Sequence, residues 1–264
     1  MNNLIDIGVN FTSSNFRLDL SQVISQAVEL GVETMIVTGT DIGNSVQAIN
    51  LCEQYPENLK STVGIHPHHA DNFNSADIVK IDELSRHQCV VALGEFGLDY
   101  NRNYSSQKSQ LYCFEAQLEY ACQADLPVFL HQRDAHSDFY KILKKYRGKL
   151  SRVVVHCFTG SYDELNDYLQ LDAHIGITGW ACDERRGHHL HELLCNIPSD
   201  RLLVETDAPY LLPRSLKPKP KSRRNEPKYL PHIVQEIANI LNKDYDSLAA
   251  ETTHAAQEFF GLNL

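Results

Sequence analysis

Five polar residues, each standing at or just past the end of a short apolar run, have the types and spacing to do chemistry together: His66, Glu95, His131, His156 and Asp207. The clearest run is Val153-Val154-Val155-His156-Cys157-Phe158-Thr159-Gly160. Its three successive β-branched residues read as a strand buried on both faces. Imidazoles and carboxylates together are the ligand set of a divalent cation such as Mg2+, Mn2+ or Zn2+. Such an ion polarises a phosphoryl or carbonyl oxygen and makes water a better acid. A nearby carboxylate then accepts the proton, and Asp207 is the candidate base. Singly, each residue has an ordinary explanation, such as a hydrogen-bonded loop histidine or a turn-fixing Asp before proline. Five of them at one place do not.

What would bring them to one place is a parallel sheet. The steps between them are multiples of roughly 25–36 residues, near one βα unit in a barrel of about 250 residues. Strands are expected at Leu4–Asn10, Thr34–Thr38, up to His66, up to Glu95, from Pro127, at Val153–Val155, at Ala173–Ile177 and at Arg201–Glu205. Segments with helical spacing of apolar residues separate them, and further helices near Leu230–Leu241 and Tyr245–Phe260 finish the chain. Eight alternating units predict an α/β fold, a (β/α)8 TIM barrel with extra C-terminal helices, forming one domain over residues 1–264. In such barrels the carboxyl ends of the strands hold the chemistry.

Composition narrows the function. The chain has 264 residues, 42% hydrophobic and 22% charged, which suits one globular core without disulfides. Its seven cysteines form no C-x-x-C pair and are expected to be free thiols. No apolar stretch is long enough for a membrane span, and Met1-Asn2-Asn3-Leu4 begins no leader, so a cytoplasmic location is expected. The net charge of −10 argues against a general nucleic-acid coat protein but not against an enzyme with a locally basic groove.

The same residues fall in motifs that resemble a known family. Gly64-Ile65-His66-Pro67-His68, Gly94-Glu95-Phe96-Gly97-Leu98-Asp99-Tyr100, Leu130-His131-Gln132-Arg133-Asp134-Ala135, Val155-His156-Cys157-Phe158-Thr159-Gly160 and Glu205-Thr206-Asp207-Ala208-Pro209-Tyr210 are similar, in order, to those of the TatD family of metal-dependent deoxyribonucleases. Asp6-Ile7-Gly8-Val9-Asn10 and Gly179-Trp180-Ala181-Cys182-Asp183-Glu184-Arg185-Arg186 look like its bacterial branch. The resemblance implies an amidohydrolase-like barrel and a Mg2+-dependent 3′→5′ exonuclease on single-stranded DNA and RNA. It also implies a part in repair of oxidative DNA damage. Separately, a monomer is expected.

On this reading Glu95, His131, His156 and Asp207 hold metal, and Glu95 and Asp207 are catalytic. His66, His68, Arg133, Trp180, Arg185, Arg186, Arg223 and Arg224 contact the nucleic acid. Lys217, Lys219 and Lys221 extend the positive charge along the loop after the last strand, and Tyr100, Tyr104 and Phe158 are further stacking candidates. One departure stands out: many members of the family carry His-x-His on the first strand, where this chain has Gly8 and Asn10. The expectation is one firmly held ion, with any second ion weak. Two alternatives remain: a metal-dependent hydrolase of a small amide or ester, and a non-catalytic nucleic-acid-binding protein with a decayed metal site.

Overall fold

The computed structural model describes residues 3–262. The outermost residues of the 1–264 unit, including the Met1-Asn2 of the leader argument, lie outside the described residues. Eight strands pair in parallel in chain order: β1 (Leu4–Val9), β2 (Val32–Val37), β3 (Leu59–Val63), β4 (Val90–Asp99), β5 (Val128–Arg133), β6 (Val153–Val155), β7 (His174–Ile177) and β8 (Leu202–Val204). The circle is completed just beyond β8, by a bridge between Val9 and Ala208. There Asp207 N donates to Gly8 O and Asn10 N donates to Ala208 O. The helices are α1 (Leu20–Glu29), α2 (Ile42–Gln54), α3 (Ser75–Ser85), α4 (Gln107–Ala121), α5 (His136–Tyr146), α6 (Tyr162–Gln170), α7 (His188–Leu194), α8 (Leu230–Leu241) and α9 (Tyr245–Phe260).

Strand alternation sorts the side chains into two apolar layers. Ile5 and Ile7 of β1 point into the lumen with Ile36, Val91, Phe129, Val154 and Leu203. Leu4, Val9, Val37, Val128, Val153 and Val155 point outward against the helices. Phe259 and Phe260 of α9 pack onto the lumen cluster. Thr253 of α9 bonds Asn3 O and Arg152 bonds Glu258 O, both just ahead of a strand. α9 therefore covers the amino-terminal end of the barrel, so reagents enter from the carboxyl end.

β3 ends at Val63, three residues short of His66, and β5 runs on to Arg133, but β4 departs furthest from expectation. β4 does not stop at Glu95 but runs on to Asp99, with Gly97 opposite His131 and Asp99 opposite Arg133. Gly97 lies within this extension, and the close approach requires glycine: a side chain there would run into the His131 carbonyl. The ladder slips between Gly94 and Phe96, and in that slip Glu95 N turns to donate to Gly39 O at 2.7 Å. Such an irregularity re-aims a side chain. The seven cysteines are free, as expected.

Candidate active site

Glu95, in the slip of β4, is the centre of the site. Three imidazole nitrogens meet its Oε1: His156 Nε2 at 2.7 Å, His131 Nδ1 at 2.8 Å and His66 Nε2 at 3.3 Å. One carboxylate oxygen cannot satisfy three such groups well. Neighbouring ligands of an ion with bonds of about 2.1 Å stand about 3 Å apart, and the spacings here match that edge. The Nε2 of His131 is buried without a hydrogen-bond partner among the described residues. His66, Glu95 and His131 form the group dense enough for a cation among those residues. Donor set and spacing fit a divalent metal. His66, expected to touch substrate, lines the cleft and is also buried against Glu95.

A second layer aims these ligands. Glu205, fully buried, takes His156 Nδ1 at 3.3 Å and Cys157 N at 2.6 Å. That leaves His156 Nε2 facing Glu95, the arrangement that orients a metal-binding imidazole. Glu205 fills the space above β1: a Cβ at Gly8 would lie 2.5 Å from its Oε2. Asp99 holds His68 Nε2 at 2.8 Å, is itself held by the amides of Asn101 and Arg102, and lies 3.5 Å from His131 Nε2. Glu205 and Asp99 were not among the expected site residues. The signal was present in Glu-x-Asp before Ala208-Pro209 and in Glu95-x-x-x-Asp99, but each read as strand or turn.

Electrostatics follow from burial against opposite charge. Burial would raise the Glu95 carboxyl, but the histidines around it, His156 foremost, hold it well below the ordinary carboxylate range. Burial would depress His156, yet Glu95 and Glu205 outweigh it and the imidazole lies well above its usual value. His66 behaves oppositely: burial pushes it down to about 4. Asp207 stands to one side of Glu95, at the end of β8. Burial raises it to about 7, with the Glu95 and Glu205 charges adding to the effect and His156 opposing it. A carboxylate balanced near neutrality suits proton transfer.

The site is the floor of a cleft of about 1330 Å³. Arg133, Trp180, Arg186 and Arg223 line it, and His68 stands in its wall. Arg186 stacks over Trp180 at 4.4 Å while Asp183 holds its guanidinium at 2.9 Å. Arg102, not anticipated, joins Arg133 and Arg223 as wall cations with no ion pair among the described residues. Arg185 is not in the cleft wall; it projects to solvent beside Asp183.

Arg224 corrects the sequence reading. Its guanidinium is clamped by Asp19 at 2.7 and 2.9 Å, by Glu226 and by Asn15 O, over the ring of Phe16. Those donors are used up inside the protein, and Asp19 lies 205 positions away in sequence. Lys217, Lys219 and Lys221 are exposed but do not line the cleft. Among the aromatics, Phe158 is core and Tyr100 is bonded to Asp138. Tyr104 and Tyr210 stand exposed at the cleft.

A parallel eight-stranded barrel with a histidine and carboxylate centre at its open mouth defines a metal-dependent hydrolase. The chain belongs to the TatD family: residues 5–261 match the family model described as TatD related DNase. It is 49% identical to the 3′-5′ ssDNA/RNA exonuclease TatD of Erwinia amylovora, over 98% of this chain and 100% of that one. Its fold is similar to the hydrolase TatD family protein of Entamoeba histolytica (TM-score 0.90, 26% identity, 98% of each chain). A TatD homologue of Escherichia coli K12 is alike to the same degree (TM-score 0.89, 26% identity, 99% of each chain).

Proposed function

We propose that this enzyme is a 3′→5′ exonuclease on single-stranded DNA and RNA, working with Mg2+ in the cytoplasm as a monomer. The observation that carries the reading is the convergence of three imidazoles on Glu95 beneath a cleft whose wall holds Arg102, Arg133 and Arg223, without ion pairs among the described residues. The name of the Erwinia amylovora relative supports the substrate and polarity. A part in repair of oxidative DNA damage rests on the family resemblance.

Glu95, His131 and His156 would hold the ion, with His66 as a fourth donor and Asp207 at its side. A divalent ion there would supply charge to a phosphoryl oxygen and acidify water. The protein does the rest. Asp207 takes the proton of the attacking water. Arg102, Arg133 and Arg223 hold phosphates, which binds a strand without reading its sequence. Trp180, stiffened by Arg186, and Tyr104 offer faces to unstacked bases, which a duplex keeps hidden. A small amide or ester would leave these cations and rings unused.

The test is a single-stranded oligonucleotide labelled at one end or the other, incubated with Mg2+, and with EDTA as control. A 3′ label should be released at once as mononucleotide, while a 5′ label should pass through a descending ladder. Glu95→Gln and His156→Ala should abolish both patterns and weaken Mn2+ binding measured by calorimetry. Release of the 5′ label first would reverse the polarity, and metal-independent cleavage would refute the site.

A further inference from the structure

We propose that Asn10 is a positioning residue for the chemical step, selecting Oδ2 of Asp207 as the atom that receives the proton. The inference rests on the nuclease reading only in giving Asp207 that role. Asp207 leaves β8 with a left-handed backbone, φ 53°, a region that non-glycine residues seldom occupy. Its backbone N–H donates to Gly8 O, and Asn10 N–H donates to Ala208 O at 2.7 Å. The end of β1 and the end of β8 are thereby locked side by side. Across this seam Asn10 Nδ2 donates to Asp207 Oδ1 at 2.9 Å.

With Asp207 ionised, its neighbours set how the amide faces. Thr38, at the end of β2, donates from Oγ1 to Asn10 Oδ1 at 2.9 Å. A flipped amide would set its carbonyl oxygen against a carboxylate oxygen, two acceptors in contact. Thr38, Asn10 and Asp207 therefore form a directed chain from three strand ends. Oδ1 is occupied, whereas Oδ2 receives no hydrogen bond among the described residues. Asn10 and Asp207 both line the cleft. A carboxylate with one oxygen tied and the other open is prepared for one proton acceptor at one place. A neutral amide also does this without drawing a second cation to Asp207.

The prediction is a loss in kcat with KM and metal affinity kept. Asn10→Asp keeps the shape and the acceptor for Thr38 but removes the donor. Asn10→Ala removes both. Each should lower kcat by about 10- to 100-fold, as small misplacements of a reacting group do. KM for a short single-stranded oligonucleotide and Mn2+ affinity by calorimetry should stay within about twofold of the wild type. Thr38→Val should cost less, about 3- to 10-fold, and should add little in the Asn10→Ala background, since both act through one chain.

Turnover is also read on bis(p-nitrophenyl) phosphate, a chromogenic diester. A wild type that cleaves this diester but not DNA would overturn the nuclease reading while still reporting on Asn10. Unchanged kcat in Asn10→Asp and Asn10→Ala would overturn the positioning role. So would a fall in Mn2+ affinity matching the fall in kcat, which would make Asn10 part of the metal site. Strictly additive losses for Thr38→Val and Asn10→Ala would break the directed chain.

Discussion

Two buried carboxylates illustrate how single residues set the behaviour of the site. Glu205 touches no solvent and holds His156 from behind. Glu205→Gln keeps the volume but weakens the hold on His156 Nδ1, so Mn2+ affinity should fall about 10- to 100-fold. Calorimetric titration checks it; unchanged affinity would mean that the packing of the ring alone suffices. Asp6, also fully buried, accepts from Thr206 N and Thr206 Oγ1, and burial raises it to about 8 from 3.8. Burial outweighs the Thr206 and Gly8 donors, so the folded protein should keep a proton that the unfolded chain releases near pH 4. Stability from Asp6 is complete below that pH and is lost as pH rises toward 8, with a slope of up to about 1.4 kcal/mol per pH unit. Asp6→Asn should remove this slope. Urea midpoints in EDTA at pH 5 and pH 8 measure it, and an equal pH dependence in the variant would contradict the buried proton.

The loop after β8 shows how an element divides its charges. Arg223 faces the cleft without an ion pair among the described residues, whereas its neighbour Arg224 is locked to Asp19 and Glu226. Two adjacent arginines should therefore fail differently. Arg223→Ala should weaken single-strand binding and lower the slope of log K against log salt by about 0.7, the loss of one phosphate contact. Arg224→Ala should leave that slope unchanged and lower the melting temperature, because Asp19 and Glu226 lose their partner. Binding to an Asp207→Asn background across a salt series, beside thermal melts, separates the two. A reduced salt slope in Arg224→Ala would return that residue to the nucleic-acid surface.

At the scale of the molecule, the ends of the barrel have separate tasks. The imidazole and carboxylate cluster, the wall cations and the exposed aromatic rings crowd the carboxyl end, while α9 seals the amino end with Phe259, whose ring lies 4.8 Å from that of His174. Phe259→Ala leaves a cavity in the lumen cluster and should cost about 3–5 kcal/mol. Below its lowered melting temperature the variant should cleave DNA at nearly the wild-type rate, since no site residue lies at that end. Melting curves and turnover at 20 °C or so test both halves; a lost kcat in a folded variant would show that the seal shapes the site.

The amino-acid sequence by itself determined the barrel and the five residues at its mouth. A parallel strand writes itself as a short β-branched run, and the first polar residue after it must stand at the strand end, whatever the rest of the chain does. His131, His156 and Glu95 were legible for that reason; Arg133, Trp180, Arg186 and Arg223 of the cleft were legible from the motifs around them, whereas Arg102 was not. What only the tertiary structure decided were the partnerships across the barrel. Glu205 behind His156, Asn10 against Asp207 and Asp19 around Arg224 join positions 49, 197 and 205 residues apart. His66 read as a residue of the mouth that touches substrate, and only the slip in β4 brought Glu95 to 3.3 Å from it. No local pattern encodes such pairs, because each depends on how the closing sheet brings distant strand ends together.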